Sequence, residues 1–136
     1  MPRFLSFLLL NLTLLTAACQ KEDAKPAEAP LEGRWTPDSS FDYNYSATGA
    51  FVSKTSITVT PNFYLRITPD SLSYRATVGN YSLGHYKLFR QDKNLTFGRL
   101  SCTIMELTDH KLVLHFKALG VPPGGAYTEQ EDVYTR

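Results

Sequence analysis

From Leu31 onward the chain exchanges apolar for polar residues at every second position. Phe63, Leu65 and Ile67 alternate with Tyr64 and Arg66, and the run stops at Thr68-Pro69-Asp70-Ser71. A period of two sends successive side chains to opposite faces, so the pattern predicts a half-buried β-strand ended by a turn. Leu72, Tyr74, Ala76 and Val78 then alternate with Ser73, Arg75 and Thr77 until Gly79-Asn80 breaks the run. Tyr81 to Phe89 predicts a third strand, closed by Gln91-Asp92-Lys93-Asn94. Leu95 to Leu107 predicts a long fourth, closed by Thr108-Asp109-His110-Lys111. In a fifth, Leu112, Leu114 and Phe116 face one side while His115 and Lys117 face the other. Gly120-Val121-Pro122-Pro123-Gly124-Gly125 forces a wide loop, and Tyr127 to Tyr134 returns as the last strand. Phe41-Tyr43-Tyr45 and Ile57-Val59 suggest two more strands nearer the start.

No window of this region repeats apolar residues at helical spacing over ten residues. Short strands at intervals of about 8–12 residues, with turn chemistry between them, indicate an all-β sandwich or up-and-down barrel. Consecutive hairpins favour the meander, and closure removes exposed sheet edges. The expected fold is therefore a small antiparallel up-and-down β-barrel. Its inward positions would include Leu65, Ile67, Tyr74, Val78, Leu112, Leu114 and Phe116, which either line a ligand cavity or fill the centre. Alternation fixes which side faces in, not how far apart the walls stand.

The start of the chain follows another rule. Arg3 precedes an uncharged run from Phe4 to Leu15, then Thr16-Ala17-Ala18 leads to Cys19, and Gln20-Lys21-Glu22-Asp23 turns abruptly polar. A basic head, a short apolar run and a small-residue cleavage site describe a signal peptide. The cysteine at the first mature position makes residues 1–18 resemble a bacterial lipoprotein signal, although Thr16 stands where the usual pattern has Leu. The resemblance implies that Cys19 is lipidated, carries palmitate-type acyl chains and anchors the protein to a bilayer. Two or more acyl chains supply the apolar area that stable anchoring needs. An ordinary signal cut after Ala18 would instead release a soluble protein. Residues 19–30 read as the lipidated cysteine and a flexible tether, too polar to fold alone. Lys21-Glu22-Asp23 resembles a lipoprotein export signal that leads to the outer face of the outer membrane; read plainly, it is solvated linker. The expected location is the bacterial cell envelope, lipid-anchored in the outer membrane, with surface exposure if that export signal operates.

Charge and cysteine content narrow the partners. The whole chain carries 14 Lys+Arg against 13 Asp+Glu, and loss of Arg3 with the signal leaves the mature chain neutral. Nucleic acid would demand a clustered basic surface, which is absent. With Cys19 lipidated, Cys102 is the one remaining thiol, so the fold stands on packing without an internal disulfide. Cys102 reads as a small buried apolar residue.

Two landmarks frame the barrel region. Leu31-Glu32-Gly33-Arg34-Trp35 opens it with a Gly-x-Trp, and Val133-Tyr134-Thr135-Arg136 ends it on an aromatic-x-Arg. Between them lies Ile104-Met105-Glu106-Leu107-Thr108-Asp109-His110-Lys111-Leu112-Val113-Leu114. In order and spacing, residues 31–136 resemble the small lipocalin-like domains of bacterial lipoproteins. The resemblance implies that Gly33 and Trp35 are structural, Trp35 closing one end of the barrel with a hydrogen-bond partner for its indole N–H. The arginine that packs near this tryptophan in lipocalins is not carried over to Arg136. The region is short for a full eight-stranded lipocalin, which implies fewer or shorter strands.

Catalytic signatures are absent: there is no Gly-x-Ser-x-Gly, no His-Glu-x-x-His and no phosphate-binding glycine pattern. No enzyme residue, metal or cofactor is nominated. His85, His110 and His115 lack metal-ligand spacing, although His85 and His115 with Glu106 are the set that would have to converge for one. Glu129, Glu131 and Asp132 read together as a solvated strand face. Eight Tyr and eight Phe leave one further signal. Tyr43, Tyr45, Tyr64, Tyr81 and Tyr86 either line a cavity mouth or, more simply, cover sheet surface. The expected function is binding: a membrane-anchored barrel holding a small hydrophobic or amphipathic ligand. The alternative is an envelope protein-interaction module, an inhibitor or assembly factor with a filled barrel, for which Val121–Gly125 is the candidate contact.

Overall fold

The computed structural model describes residues 28–118 and 124–136. The expected signal peptide, Cys19, the tether up to residue 27 and Val121–Pro123 of the candidate contact loop lie outside the described residues.

Nine strands follow one another: β1 (Gly33–Tyr45), β2 (Phe51–Ile57), β3 (Phe63–Ile67), β4 (Ser71–Ala76), β5 (Ser82–Gln91), β6 (Asn94–Phe97), β7 (Leu100–Leu107), β8 (Lys111–Phe116) and β9 (Tyr127–Thr135). Every pairing is antiparallel. Strands β3 to β9 pair in sequence order, and β1 pairs with both β3 and β9, closing an eight-stranded barrel. Strand β2 stays outside the ring. It lies along the outer half of β1, with Ser40 opposite Ile57 and Tyr43 opposite Lys54.

Two strands turn the corners of the barrel. Gly33–Trp35 of β1 pair with β3, whereas Thr36–Tyr45 pair with β9. In β5, the first half faces β4 and Leu88–Gln91 face β6. A register shift at Pro37/Ser39 accompanies the first corner. Bulges of this kind bend a strand and raise its local twist.

Alternation locates β3, β4 and β8 closely, but the strand expected at Ile57–Val59 lies upstream as β2, which ends at Ile57, and two further expectations fail. The single long strand over Leu95–Leu107 is a hairpin, because Gly98-Arg99 forms a two-residue turn joining Phe97 to its partner Leu100. Gly98 has φ +58°, a conformation glycine adopts without steric cost and hairpin turns require. The second failure is Val78, expected to face inward. Strand β4 ends at Ala76, and Val78 sits in the following turn, 84% exposed.

The expected inward positions Leu65, Ile67, Leu112 and Leu114 meet Trp35, Leu72, Leu88, Leu95, Phe97, Ile104 and Tyr134 in one core. These four are 0–2% exposed, so they fill the centre. Cys102 is buried with them.

The end of the barrel where β1 starts is closed by Trp35, which has no exposed surface. Its indole Nε1–H donates to the Leu31 carbonyl at 2.8 Å, as a buried indole must find an acceptor. Arg136 covers the ring from outside, its guanidinium 4.1 Å from the ring centroid. The same guanidinium donates to the carbonyls of Asp109, Glu32 and Pro30 at 2.7, 2.9 and 3.0 Å. It thus ties the entering chain, the β7–β8 turn and the end of β9 together. Gly33 makes this approach possible: its φ is +135°, and a Cβ there would lie 3.0 Å from Arg136 Nη1.

Candidate functional site

The other end of the barrel is built differently. Five strands each contribute a ring to a series that joins this rim to the core: Phe63 from β3, Tyr74 from β4, the exposed Tyr86 from β5, the buried Phe97 from β6 and Phe116 from β8. Successive ring centroids are 5.7, 6.3, 6.3 and 6.4 Å apart, two of the pairs edge to face and two tilted. These separations fall in the favourable range for aromatic pairs, so the rings form a continuous arc. Tyr86 is the keystone. A Cβ on Gly84 or Gly98 would lie 3.0 Å from its ring, so the two glycines open the slot in which it lies.

Facing the arc, β9 and β1 present polar groups. Leu112 pairs with Tyr134, Leu114 with Asp132 and Phe116 with Gln130, which puts these β9 residues on the inward face. The register Ser40–Asp132 brings in β1. Ser40 Oγ–H donates to Asp132 Oδ1 at 2.6 Å, Gln130 Nε2–H to the same oxygen at 2.9 Å, and the Tyr134 hydroxyl to Oδ2 at 3.3 Å. Ser40 and Tyr134 are buried.

Two open hollows adjoin these walls. One, of about 290 Å³, runs between the β2–β3 connection and β9, bounded by Ser40, Thr60, Asn62, Phe63, Asp132 and Tyr134. The other, of about 380 Å³, lies beside Tyr74, Tyr86, Phe97 and the Gly98-Arg99 turn. Binding sites for small molecules begin at about 300 Å³, so each hollow suits a small ligand or one part of a larger one.

Two phenols and a thiol near Asp132 hold their protons more tightly than usual. Burial pushes the Tyr74 phenol up to about 12, with the Asp132 charge as the next contribution. The Cys102 thiol is likewise pushed up to about 12 by burial and then by Asp132. Tyr134 is raised further, again first by burial and then by the Asp132 carboxylate it contacts. These groups stay neutral at physiological pH and act as donors and packing surface, not as nucleophiles.

Of the seven expected lining residues, Tyr74 and Phe116 join the arc, while Leu65, Ile67, Leu112 and Leu114 form the core beneath it. Val78 takes no part. Tyr86 is the one tyrosine of the five expected at a mouth that joins the arc. Tyr64 lies on the outer side under the Arg34 guanidinium, 4.0 Å from its centroid. Tyr81 is 61% exposed. Tyr45 stacks on Tyr127 at 4.9 Å, and Tyr43 meets His115 edge-on at 6.3 Å, all on the outer face of β1, β8 and β9.

His115 pairs with Glu129 at 2.8 Å and His85 bonds Ser73 at 2.7 Å, while Glu106 pairs with Lys111 at 2.6 Å. The three do not converge, and no metal-binding group of three ligands occurs among the described residues.

Asp132 and Ser40 were not legible as site residues, because Asp132 stands in an acidic run. Strand parity holds the missing signal. Asp132 is in phase with Tyr134, whereas Glu129 and Glu131 are in phase with Val133 and point out to His115 and Tyr43. Comparison with protein-family models, curated proteins and solved structures gives no match to this chain.

Proposed function

We propose that the chain is an envelope lipoprotein, anchored through acylated Cys19, whose lipocalin-like barrel holds a small amphipathic ligand at its open rim. The observation that carries this reading is the five-ring arc facing the Ser40–Asp132–Gln130 group. One wall offers apolar and π surface, the other hydrogen-bonding groups, and both border open hollows. Burial of apolar ligand surface contributes roughly 25 cal/mol per Å², and the polar wall sets orientation. The filled centre confines the ligand to the rim. The resemblance in sequence supports the anchor and the barrel family.

The test is native mass spectrometry of the protein purified from its own host's envelope. A bound mass, released on denaturation and lost in a Tyr86→Ala, Phe116→Ala double variant, supports the rim site. A clean apo mass, with no uptake of anionic, neutral or cationic amphipathic probes, removes it. The anchor has its own check: Cys19→Ser protein that still partitions fully into detergent defeats the lipidation argument.

A second reading, an envelope protein-interaction module with a filled barrel, is favoured by β2. All seven of its residues are exposed, including Phe51 and Val52, and one of its edges pairs with no strand among the described residues. An open edge is a template for an added strand. The apo outcome above directs attention there.

A further inference from the structure

The ligand-binding reading leaves open the charge of the ligand, and the surroundings of Asp132 bear on it. Its three partners, Ser40, Gln130 and Tyr134, are all neutral donors. Among the described residues no Lys, Arg or His forms an ion pair with it; the three ion pairs there join Arg90 to Glu28, Lys111 to Glu106 and His115 to Glu129. The hollow that Asp132 borders is lined by no cationic residue at all. Arg99 is exposed and borders only the other hollow, in the β6–β7 turn. A partly buried carboxylate without a counter-ion leaves a negative potential in the space before it. Phe63 lines the same hollow, and an aromatic ring face attracts cations.

We infer that the rim site selects a cationic amphiphile, a small amine whose ammonium group sits against Asp132 while its apolar or aromatic part rests on Phe63 in the same hollow. The inference rests on the rim-site reading above. An ammonium ion brings the charge that Asp132 lacks, and it is a pure donor for carboxylate oxygens whose other contacts are already made. A carboxylate ligand of the same shape would face a like charge at short range, which costs binding. Ser40 and Gln130 would hold the Asp132 carboxylate in place, so that it does not have to be ordered when the ligand arrives.

The test uses three isosteric probes that differ in charge: 2-phenylethylamine, 2-phenylethanol and phenylacetate. Their binding to the mature chain, as purified, is read by ligand-observed NMR at pH 7. The amine is expected to bind best and phenylacetate worst. Asp132→Asn, which keeps an acceptor for Ser40, is expected to weaken the amine about tenfold and the alcohol less than twofold. Gln130→Lys places a cation beside Asp132 from an exposed position and is expected to do the same. With two routes to neutralising the carboxylate, misfolding of one variant, visible in its circular dichroism, leaves the other to decide. Equal binding of all three probes, an anion preference, or an amine preference that survives both substitutions overturns the cation inference and leaves the rim site standing. No binding of any probe to a protein that retains a neutral or anionic native mass also overturns it. No binding together with a clean apo mass overturns the rim reading itself.

Discussion

Replacing Arg136 by alanine removes the clamp over the closed end of the barrel, and its effect can be estimated from the contacts. The guanidinium donates to three backbone carbonyls and covers the face of a tryptophan that has no exposed surface. Hydrogen bonds from a charged group contribute about 1.5–3 kcal/mol when buried, but these are solvent-accessible, and screening brings each to about 0.5 kcal/mol. A cation over an indole at an accessible site adds about 0.5–1 kcal/mol. Together the loss is about 2 kcal/mol, which for a domain of roughly 100 residues lowers Tm by about 8–16 °C. The assay is thermal unfolding followed by near-ultraviolet circular dichroism, which reports on the Trp35 environment directly. Arg136→Lys retains the charge but not the planar fork that serves several carbonyls at once, so it should recover less than half of the loss. In a double-mutant cycle with Trp35→Phe, the two changes should be non-additive, since the residues touch. A Tm change below 2 °C for Arg136→Ala, or strict additivity with Trp35→Phe, would refute the clamp.

Three further outcomes follow from the same geometry. Gly33→Ala forces a side chain into a positive-φ position and against Arg136, so it should destabilise by about 1–3 kcal/mol, read as a shifted midpoint in urea. Leu114→Ala opens a cavity in the filled centre and should cost about 2–5 kcal/mol with unchanged secondary structure by circular dichroism; a smaller loss would mean the centre is less tightly packed than its burial indicates. Stability should also fall in alkali. Tyr74 and Cys102 ionise near 10 and 9 when exposed but only at about 12 in the folded protein, so the unfolded state releases protons first and unfolding is favoured as pH rises from 9 to 12. Tyr74→Phe and Cys102→Val should each flatten that slope, and Cys102 should resist alkylation at pH 8 until the protein unfolds.

How much of this could be read from the chain depended on whether burial had left a periodic mark. Strands β3, β4 and β8 carry one wet and one dry face, so Leu65, Ile67, Leu112 and Leu114 announce themselves at every second position. Strand β2 is exposed along its whole length, and with neither face buried nothing selects alternation; the strand expected at Ile57–Val59 overlaps it only at Ile57. The hairpin at Gly98-Arg99 was hidden because a single glycine between apolar runs also fits a strand interior. Trp35 was legible as a plug with a bonded indole; the resemblance also pointed to an arginine beside it, not assigned to Arg136 because a last residue can fray, and the carbonyls that hold Arg136 in place leave no trace in side-chain pattern. Asp132 was concealed by its acidic neighbours, although the strand's own parity separates them.

Strand length explains why the barrel has a solid centre and a chemically dressed rim instead of a deep cup. Strands β3, β4 and β8 have five or six residues, spanning about 20 Å at most, and so offer three inward positions each. In β3 these are Ile67, Leu65 and Phe63; in β8, Leu112, Leu114 and Phe116. Closing eight strands leaves an interior that side chains can just fill, and the first two positions of each set do so, with Trp35 beneath. That packing is what a domain of this size needs, since it has no internal disulfide between described residues and one buried free cysteine. Only the third position is left over for other uses. There the chain places Phe63 and Phe116, while Tyr74, level with Leu65, and the buried Phe97 stand deeper and link them to Tyr86. The inward groups of β9 change from Tyr134 to Asp132 and Gln130 as the strand nears the same level. A rim this shallow cannot enclose a long acyl chain, but it has room for a short amphiphile between rings and a carboxylate. Under the proposed rim site, the same shortness of strand that forces the core to be filled would set the size of the ligand, and Asp132 its charge.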